Sequence, residues 1–392
     1  MERSLLVINA GSSSLKFAVY RTDGTDRLTR THRGILEAIG GRGRMRVPLA
    51  PREADRIDAV IDIDDHDAAI RMLLDWLMPR LDACKLVAAG HRVVHGGVDH
   101  ATPVRVDETV LAQLARLVPL DPLHQPHNLA AIRALRNALP ELPQVACFDT
   151  AFHRSMPDVA QRFALPRALA EAGVRRYGFH GLSYEYIAAA LPAHLGEAAD
   201  GRVVVAHLGS GASLCAMKNR LSVETTMSFT PLDGVPMGTR CGAIDPAIPL
   251  YLMREQGLDA DAVSDLLQAR SGLLGLSGVS ADMRELLASP AAGAAEAVAH
   301  FTYHVSRAIG SLAVALGGLD AVVFTAGIGT HSAPVRQDIC ARLGWLGLAL
   351  DAQANAAHGP CISVPGSAVS AWVIPTDEEQ VIAHHALRLL GR

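Results

Sequence analysis

The chain has 392 residues, 36 Lys and Arg against 40 Asp and Glu, and an apolar share of 49%. That length calls for at least two domains, the composition gives no sign of disorder, and a net charge of −4 without a long basic run argues against nucleic acid as the main partner. The six cysteines, at 84, 147, 215, 241, 340 and 361, form no C-x-x-C pair, so free thiols in a reducing cytoplasm are expected rather than a disulfide framework or a zinc knuckle.

After Met1-Glu2-Arg3-Ser4, the apolar run Leu5–Ile8 is too short for a signal-peptide core and reads as a first strand. It enters a turn at Gly11, and apolar residues resume as far as Tyr20, which predicts a hairpin. Segment 40–46, GGRGRMR, reads as an exposed hairpin turn or solvated loop. Buried strands are predicted at 86–90 and 144–149, and amphipathic helices at 108–118, 128–139 and 183–191. Segment 203–217 then repeats the strand, glycine turn, strand pattern of 5–20, with Gly209 in the place of Gly11. Helices are predicted at 259–269 and 295–316. The apolar stretch 311–329 carries Asp320 and four glycines, so it reads as a helix end, a turn and a buried strand at 321–326 rather than a membrane span. The class is α/β. The repeated hairpin points to two similar α/β domains, 1–150 and 151–377; two unrelated hairpins are the alternative.

Candidate chemistry gathers in glycine-rich segments at strand ends. Asn9-Ala10-Gly11-Ser12-Ser13-Ser14-Leu15-Lys16 offers hydroxyls, an amide and an ammonium around a turn that suits phosphate, although no Gly-Lys-Ser/Thr of a P-loop occurs. Its counterpart, Gly209-Ser210-Gly211-Ala212-Ser213, is equally small. In Gly90-His91-Arg92-Val93-Val94-His95-Gly96-Gly97, cationic groups follow a strand and suit an anionic substrate. Asp149 in CFDTAFH is either a metal-binding or catalytic acid or an N-cap. His180 lies within RYGFHG, and Arg240 stands between Gly238 and Gly242, little shielded from an incoming anion. SGLLGLSGVSADMR (271–284) and FTAGIG (324–329) have the character of a nucleotide pocket, where backbone can approach a base and ribose closely. Asp377, Glu378 and Glu379 open a C-terminal helix and could cap it or reach a metal.

In this order, VINAGSSSLKF, GHRVVHGG, FDTAFH, YGFHG, FTPLDG, MGTRCG, SGLLGLSGVSADMR and FTAGIG resemble the acetate kinase family from residue 5 to about 385. The resemblance implies two duplicated ribonuclease-H-like (actin-like ATPase) domains around a nucleotide cleft, with the C-terminal helix, about 378–392, joining the first. It implies reversible transfer of the γ-phosphoryl of ATP to acetate, giving acetyl phosphate and ADP, with Mg2+ or alternatively Mn2+, in a cytoplasmic homodimer that uses neither nucleic acid nor membrane. Arg92, Asp149, His180 and Arg240 would be catalytic, with His180 and Arg240 stabilising the transition state. Arg92, Val94, Leu123, Phe179 and Pro231 would hold the acyl substrate. Lys16, His207, Gly209, Ser210, Gly211, Asp282, Met283, Arg284, Gly327, Ile328 and Gly329 would bind nucleotide, and Asn9 and Glu378 the metal.

Four places depart from the family pattern: Ser210 for Asn, Glu224 for Asp, Ala243 for Asp, and Thr330-His331 for Glu-Asn. They bear on phosphate-loop geometry and base preference. The alternatives are a propionate or other short-chain acyl kinase, a nucleotide-binding sensor without turnover, and an acyl-phosphate hydrolase with Asp149 as nucleophile.

Overall fold

The run Leu5-Leu6-Val7-Ile8 has no polar face, and it forms a strand buried on both sides. The computed structural model describes residues 3–22, 27–81 and 84–390. Met1-Glu2 and positions 391–392 of the predicted C-terminal helix lie outside them. Contacts divide the chain into two units, Met1–Ala151 with Asp377–Arg392, and Phe152–Thr376.

The first unit holds β1 (Arg3–Ala10), β2 (Ser14–Thr22), β3 (Thr29–Glu37), β4 (Gly41–Leu49), β5 (Ile57–Ile63), β6 (Lys85–Val93), β7 (Val104–Arg105) and β8 (Gln144–Phe148) in one sheet, ordered β5-β4-β3-β2-β1-β6-β8-β7. β1 pairs antiparallel with β2 and parallel with β6, and β6 is parallel to β8. Leu6 and Ile8 pack with Leu73 and Leu77 of helix His66–Leu77, while helix Gln125–Ala138 contributes Leu129 and Ile132 to a core with Val93 and Phe148. The C-terminal helix Glu378–Leu390 lies over β1 and β6. It can do so because Gly90 is bare: a Cβ there would collide with Ile382.

The second unit holds β9 (Arg202–Leu208), β10 (Ala212–Lys218), β11 (Leu221–Thr225), β12 (Ala321–Thr325) and β13 (Ser370–Val373), ordered β11-β10-β9-β12-β13. β9 is antiparallel to β10 and parallel to β12, which is parallel to β13. The five-strand topology β3-β2-β1-β6-β8 therefore recurs as β11-β10-β9-β12-β13, and the repeated hairpin is the visible part of a duplicated α/β fold. Helices Gly181–Leu195 and Ala292–Leu316 pack on this sheet.

The predicted helices occur within a few residues of expectation, at Glu108–Ala115, Gln125–Ala138, Gly181–Leu195, Ala260–Ala269 and Ala292–Leu316. The stretch 311–329 is a helix end capped by Gly317 at φ +72, then β12. Segment 40–46 is a correction: apart from Gly40 it belongs to β4. Arg42, Arg44 and Arg46 face solvent, while Gly43, Met45 and Val47 face inward. The exposed arginines pair with neighbouring strands, Arg44 with Asp58 and Arg46 with Glu37. This period-two alternation identifies a half-buried strand, and it is masked by the density of charge.

Candidate active site

In the first unit the parallel strands β1, β6 and β8 end side by side, the position at which open α/β sheets present ligand-binding residues. Each supplies one polar side chain. Arg92, the penultimate residue of β6, donates from Nε to Asp149 Oδ1 at 3.1 Å and from Nη2 to Asp149 Oδ2 at 2.5 Å. Its Nη1 reaches Asn9 Oδ1 at 3.4 Å. Asp149, just after β8, has 1% exposure and gives both oxygens to Arg92, so it is an ion-pair partner rather than a helix cap. Burial works against the Arg92 charge, but Asp149, Glu378 and Asp121 outweigh it and raise the guanidinium pKa.

Glu378 is held differently from its neighbour. Asp377 caps the C-terminal helix at Gln380 N and binds Tyr20 and Arg30. Burial pushes the Glu378 carboxyl up to about 7, against the pull of Arg92 and Lys16 and with a further push from Asp149 and Glu379. Lys16, exposed on β2, is the cross-strand partner of Asn9. Val94 is 2% exposed and donates its N–H to Asn128 Oδ1 at 2.9 Å. β6 ends at Val93 and Val94 lies in a bend, so strand alternation does not place it on one face with Arg92. Leu123 is half-exposed.

In the second unit, His180 stands at φ +58 as the residue before helix Gly181–Leu195. Behind it, buried His153 bonds Phe179 O at 2.9 Å and Ser222 Oγ at 2.9 Å. Burial pushes His153 down to about 4, so its ring is neutral; a carbonyl can only accept, so Nε2 carries the proton. Phe179 is buried at 1%. His180 Nδ1 meets Ser213 Oγ at 2.8 Å, and Ser213 Oγ meets Tyr184 Oη at 2.5 Å. The His180 ring stacks on His207 with centroids 4.2 Å apart, and His207 Nδ1 meets Ser183 Oγ at 2.8 Å.

Gly211 brings these groups together. A Cβ on it would lie 3.3 Å from His180 Nε2 and 3.7 Å from Arg240 Nη1, so an imidazole nitrogen and a guanidinium nitrogen border one small space that a side chain would fill. Arg240 Nη1 also donates to Pro231 O at 3.2 Å, and Gly238 N donates to Ser210 O at 3.1 Å, tying the arginine loop to the Gly209–Gly211 turn.

The remaining nucleotide candidates are less uniform. Asp282 caps helix Met283–Ala288 by accepting from Arg284 N, and its pKa is pushed down to about 2 by the hydrogen bonds it accepts from Arg284, whose side chain is 90% exposed. Met283 is 3% exposed and packs inward. Residues Ala326–His331 form one short helix after β12, with Gly327 exposed, Ile328 intermediate and Gly329 buried.

Of three supporting residues, Ser213 belongs to the small turn the sequence marks without giving it a role, and Tyr184 and Asn128 carry no mark in the sequence. Ser213 and Tyr184 hold His180, and Asn128 joins Val94 N to Ala10 O, which its Nδ2 reaches at 2.6 Å. Ser213 lies two residues beyond Gly211, within that turn. The others are serviceable helix residues with no local mark.

The profile of the family described as Acetokinase family matches residues 4–384. An acetate kinase of Rhodopseudomonas palustris is 52% identical over 396 residues, covering 99% of both chains. Among solved structures, an acetate kinase of Porphyromonas gingivalis is 34% identical with a TM-score of 0.88, covering 99% of this chain and 100% of that one. A propionate kinase of Francisella tularensis is 35% identical with a TM-score of 0.92, covering 98% and 99%.

Proposed function

This chain belongs to the acetokinase family, and from that premise we propose that it catalyses reversible transfer of the γ-phosphoryl of ATP to acetate, giving acetyl phosphate and ADP. Acetic acid, with a pKa of roughly 4–5, is ionised at neutral pH, so no general base is needed. The difficulty is the meeting of two anions, and the catalyst must supply positive charge and alignment.

One observation carries the reading: His180 Nε2 and Arg240 Nη1 border the space left open at Gly211. An equatorial phosphoryl oxygen placed there would accept from both. If Tyr184 Oη donates to Ser213 Oγ and Ser213 donates to His180 Nδ1, the His180 proton resides on Nε2, the nitrogen that must donate. Arg92 has Nε and Nη2 engaged by Asp149 and one Nη1 N–H on Asn9 Oδ1, which aligns the guanidinium and leaves the second N–H of Nη1 to reach a carboxylate. The same pairing argues against Asp149 as a nucleophile, because both of its oxygens already accept from a cation. Direct in-line transfer is the mechanism this supports.

Magnesium, or alternatively manganese, suits the first unit's oxygen donors. A Glu378 carboxyl held up at about 7 beside Asp149 is short of positive charge, which a hard cation would supply. Among the described residues no group of three or more His, Cys, Asp or Glu could hold a metal, so an ion here would be bound by one or two side chains together with substrate phosphates and water. Asn9 and Glu378 would hold it. When bound, it would neutralise charge on the β- and γ-phosphates.

We assign the acyl group to Val94, Leu123, Phe179 and Pro231. The phosphates fall to Lys16, His207, Gly209, Ser210 and Gly211, and the adenosine to Asp282, Arg284, Gly327, Ile328 and Gly329, with Met283 contributing backbone alone. A homodimer through the second unit is supported by its exposed Tyr303 and Trp345, at 47% and 75%. A cytoplasmic setting is supported by six free thiols. No described helix is long and apolar enough to cross a membrane.

The propionate reading has its own support in the Francisella structure. A coupled assay of ADP formation with acetate, propionate and butyrate decides: acetate should exceed propionate in kcat/KM by about tenfold or more. Higher kcat/KM with propionate would replace the acetate assignment, and no turnover with any acid would favour a nucleotide sensor.

A further inference from the structure

Among the described residues the largest fully buried side chain is a cation, Arg336, with 0% exposure. It projects from helix Ala333–Arg342, and five hydrogen bonds absorb its guanidinium. Nε donates to Asn355 Oδ1 at 2.8 Å, Nη1 to Gly329 O and Thr330 O at 2.9 Å each, and Nη2 to Asn355 O at 2.8 Å and His358 Nδ1 at 2.9 Å. All five acceptors are neutral. Burying a cation on neutral acceptors is costly, so this arrangement needs a reason beyond filling space.

The reason lies one turn away. At the first residue of helix Ala326–His331, Ala326 adopts φ +62, a left-handed conformation that costs an alanine about 1–2 kcal/mol. The usual device for fixing such an entry is absent, since the buried Thr325 hydroxyl at the N-cap position has no hydrogen-bond partner. Strained backbone persists where its surroundings over-determine it. Here Gly327 and Ile328 face outward, while the inward carbonyls of Gly329 and Thr330 are both taken by one planar fork.

We propose that Arg336 is a positioning residue for nucleotide binding, clamping the strained turn 326–330 against Asn355 and His358 so that Gly327 and Ile328 present a preformed surface to the adenosine. The proposal rests on the nucleotide assignment above and adds to it a residue that touches no ligand. Only the fork makes it work: a lysine would keep the charge and lose the simultaneous grip on both carbonyls and Asn355.

Arg336→Lys and His358→Gly in the full chain test this. His358 is exposed at φ +52, so glycine removes one acceptor without straining the backbone. Each variant is examined by ADP titration calorimetry, melting temperature, and KM for ATP and for acetate. Arg336→Lys is expected to weaken ADP binding and raise the ATP KM about tenfold or more, leaving the acetate KM within about twofold. His358→Gly should weaken ADP binding about threefold, and it carries the test if Arg336→Lys does not fold. Wild-type ADP affinity in folded Arg336→Lys, or in folded His358→Gly where Arg336→Lys does not fold, with any activity loss tracking the melting temperature alone, would overturn the clamp. Wild-type enzyme that binds ADP without forming acyl phosphate would remove the catalytic reading and leave the clamp to the titration. No ADP binding by the wild type overturns both.

Discussion

Replacing Gly211 with alanine would put a methyl group where two donors border a common space, its carbon 3.3 Å from His180 Nε2 and 3.7 Å from Arg240 Nη1. An oxygen served by both nitrogens must come within about 2.7–3.1 Å of each, and the methyl carbon would occupy that position. Displacing the phosphoryl by about 1 Å costs roughly a hundredfold in rate. The fold should tolerate the change. Gly211 is outside the left-handed region, and the 3.3 Å contact is relieved by a shift of a few tenths of an ångström in the His180 ring. Reduced freedom of the unfolded chain adds about 0.4–1 kcal/mol of stability. Acetyl phosphate trapped as the hydroxamate should therefore form about a hundredfold more slowly, with a melting temperature equal to or slightly above wild type. Activity within about threefold of wild type in a variant of unchanged stability would show that the phosphoryl group does not enter this space.

Arg240→Ala should lower kcat by about a hundredfold or more with little change in ATP KM, and Arg240→Lys should restore only part of it; a raised ATP KM with kcat intact would move Arg240 to nucleotide binding. Val94→Ala should raise propionate relative to acetate by roughly 10- to 200-fold, whereas a lowered melting temperature with an unaltered ratio would make Val94 a core residue. Glu378 is held protonated to higher pH in the folded chain than its ordinary carboxyl value, so metal-free stability should fall as pH rises from about 4.5 to about 7 and then level. Glu378→Gln should flatten that slope and abolish turnover with magnesium; an unchanged slope would place the titration elsewhere.

The parts of this protein legible in the sequence were those whose cause is local. The hairpins at Gly11 and Gly209 announce themselves by apolar runs broken by small residues, and they are the first two strands of both sheets. Arg92 and Asp149 stand at the ends of buried strands, where the fold presents side chains to ligands, but their bidentate pairing arises only when β6 and β8 lie adjacent. β4 was obscured because alternating arginines look like a solvated run unless the glycine, methionine and valine between them are read as one face. Asp377 and Glu378 are neighbours of like charge, yet one caps a helix and the other is driven toward neutrality by burial, a difference made entirely by the elements packed around them. Arg336 shows the limit most clearly: nothing in APVRQD marks that arginine as the most buried cation among the described residues, since its acceptors come from the short helix before it and from the end of another, Ala352–Ala356, some twenty residues beyond.

The central claim is direct passage of the phosphoryl group from ATP to acetate, and single-turnover mixing with ATP labelled in the γ-phosphoryl group tests it most directly. The label should appear in acetyl phosphate at the rate at which ADP forms, with none on the protein when acetate is left out. Stoichiometric label on His180 or Asp149, formed before acetate is added and discharged to acetate afterwards on the catalytic timescale, would contradict the account.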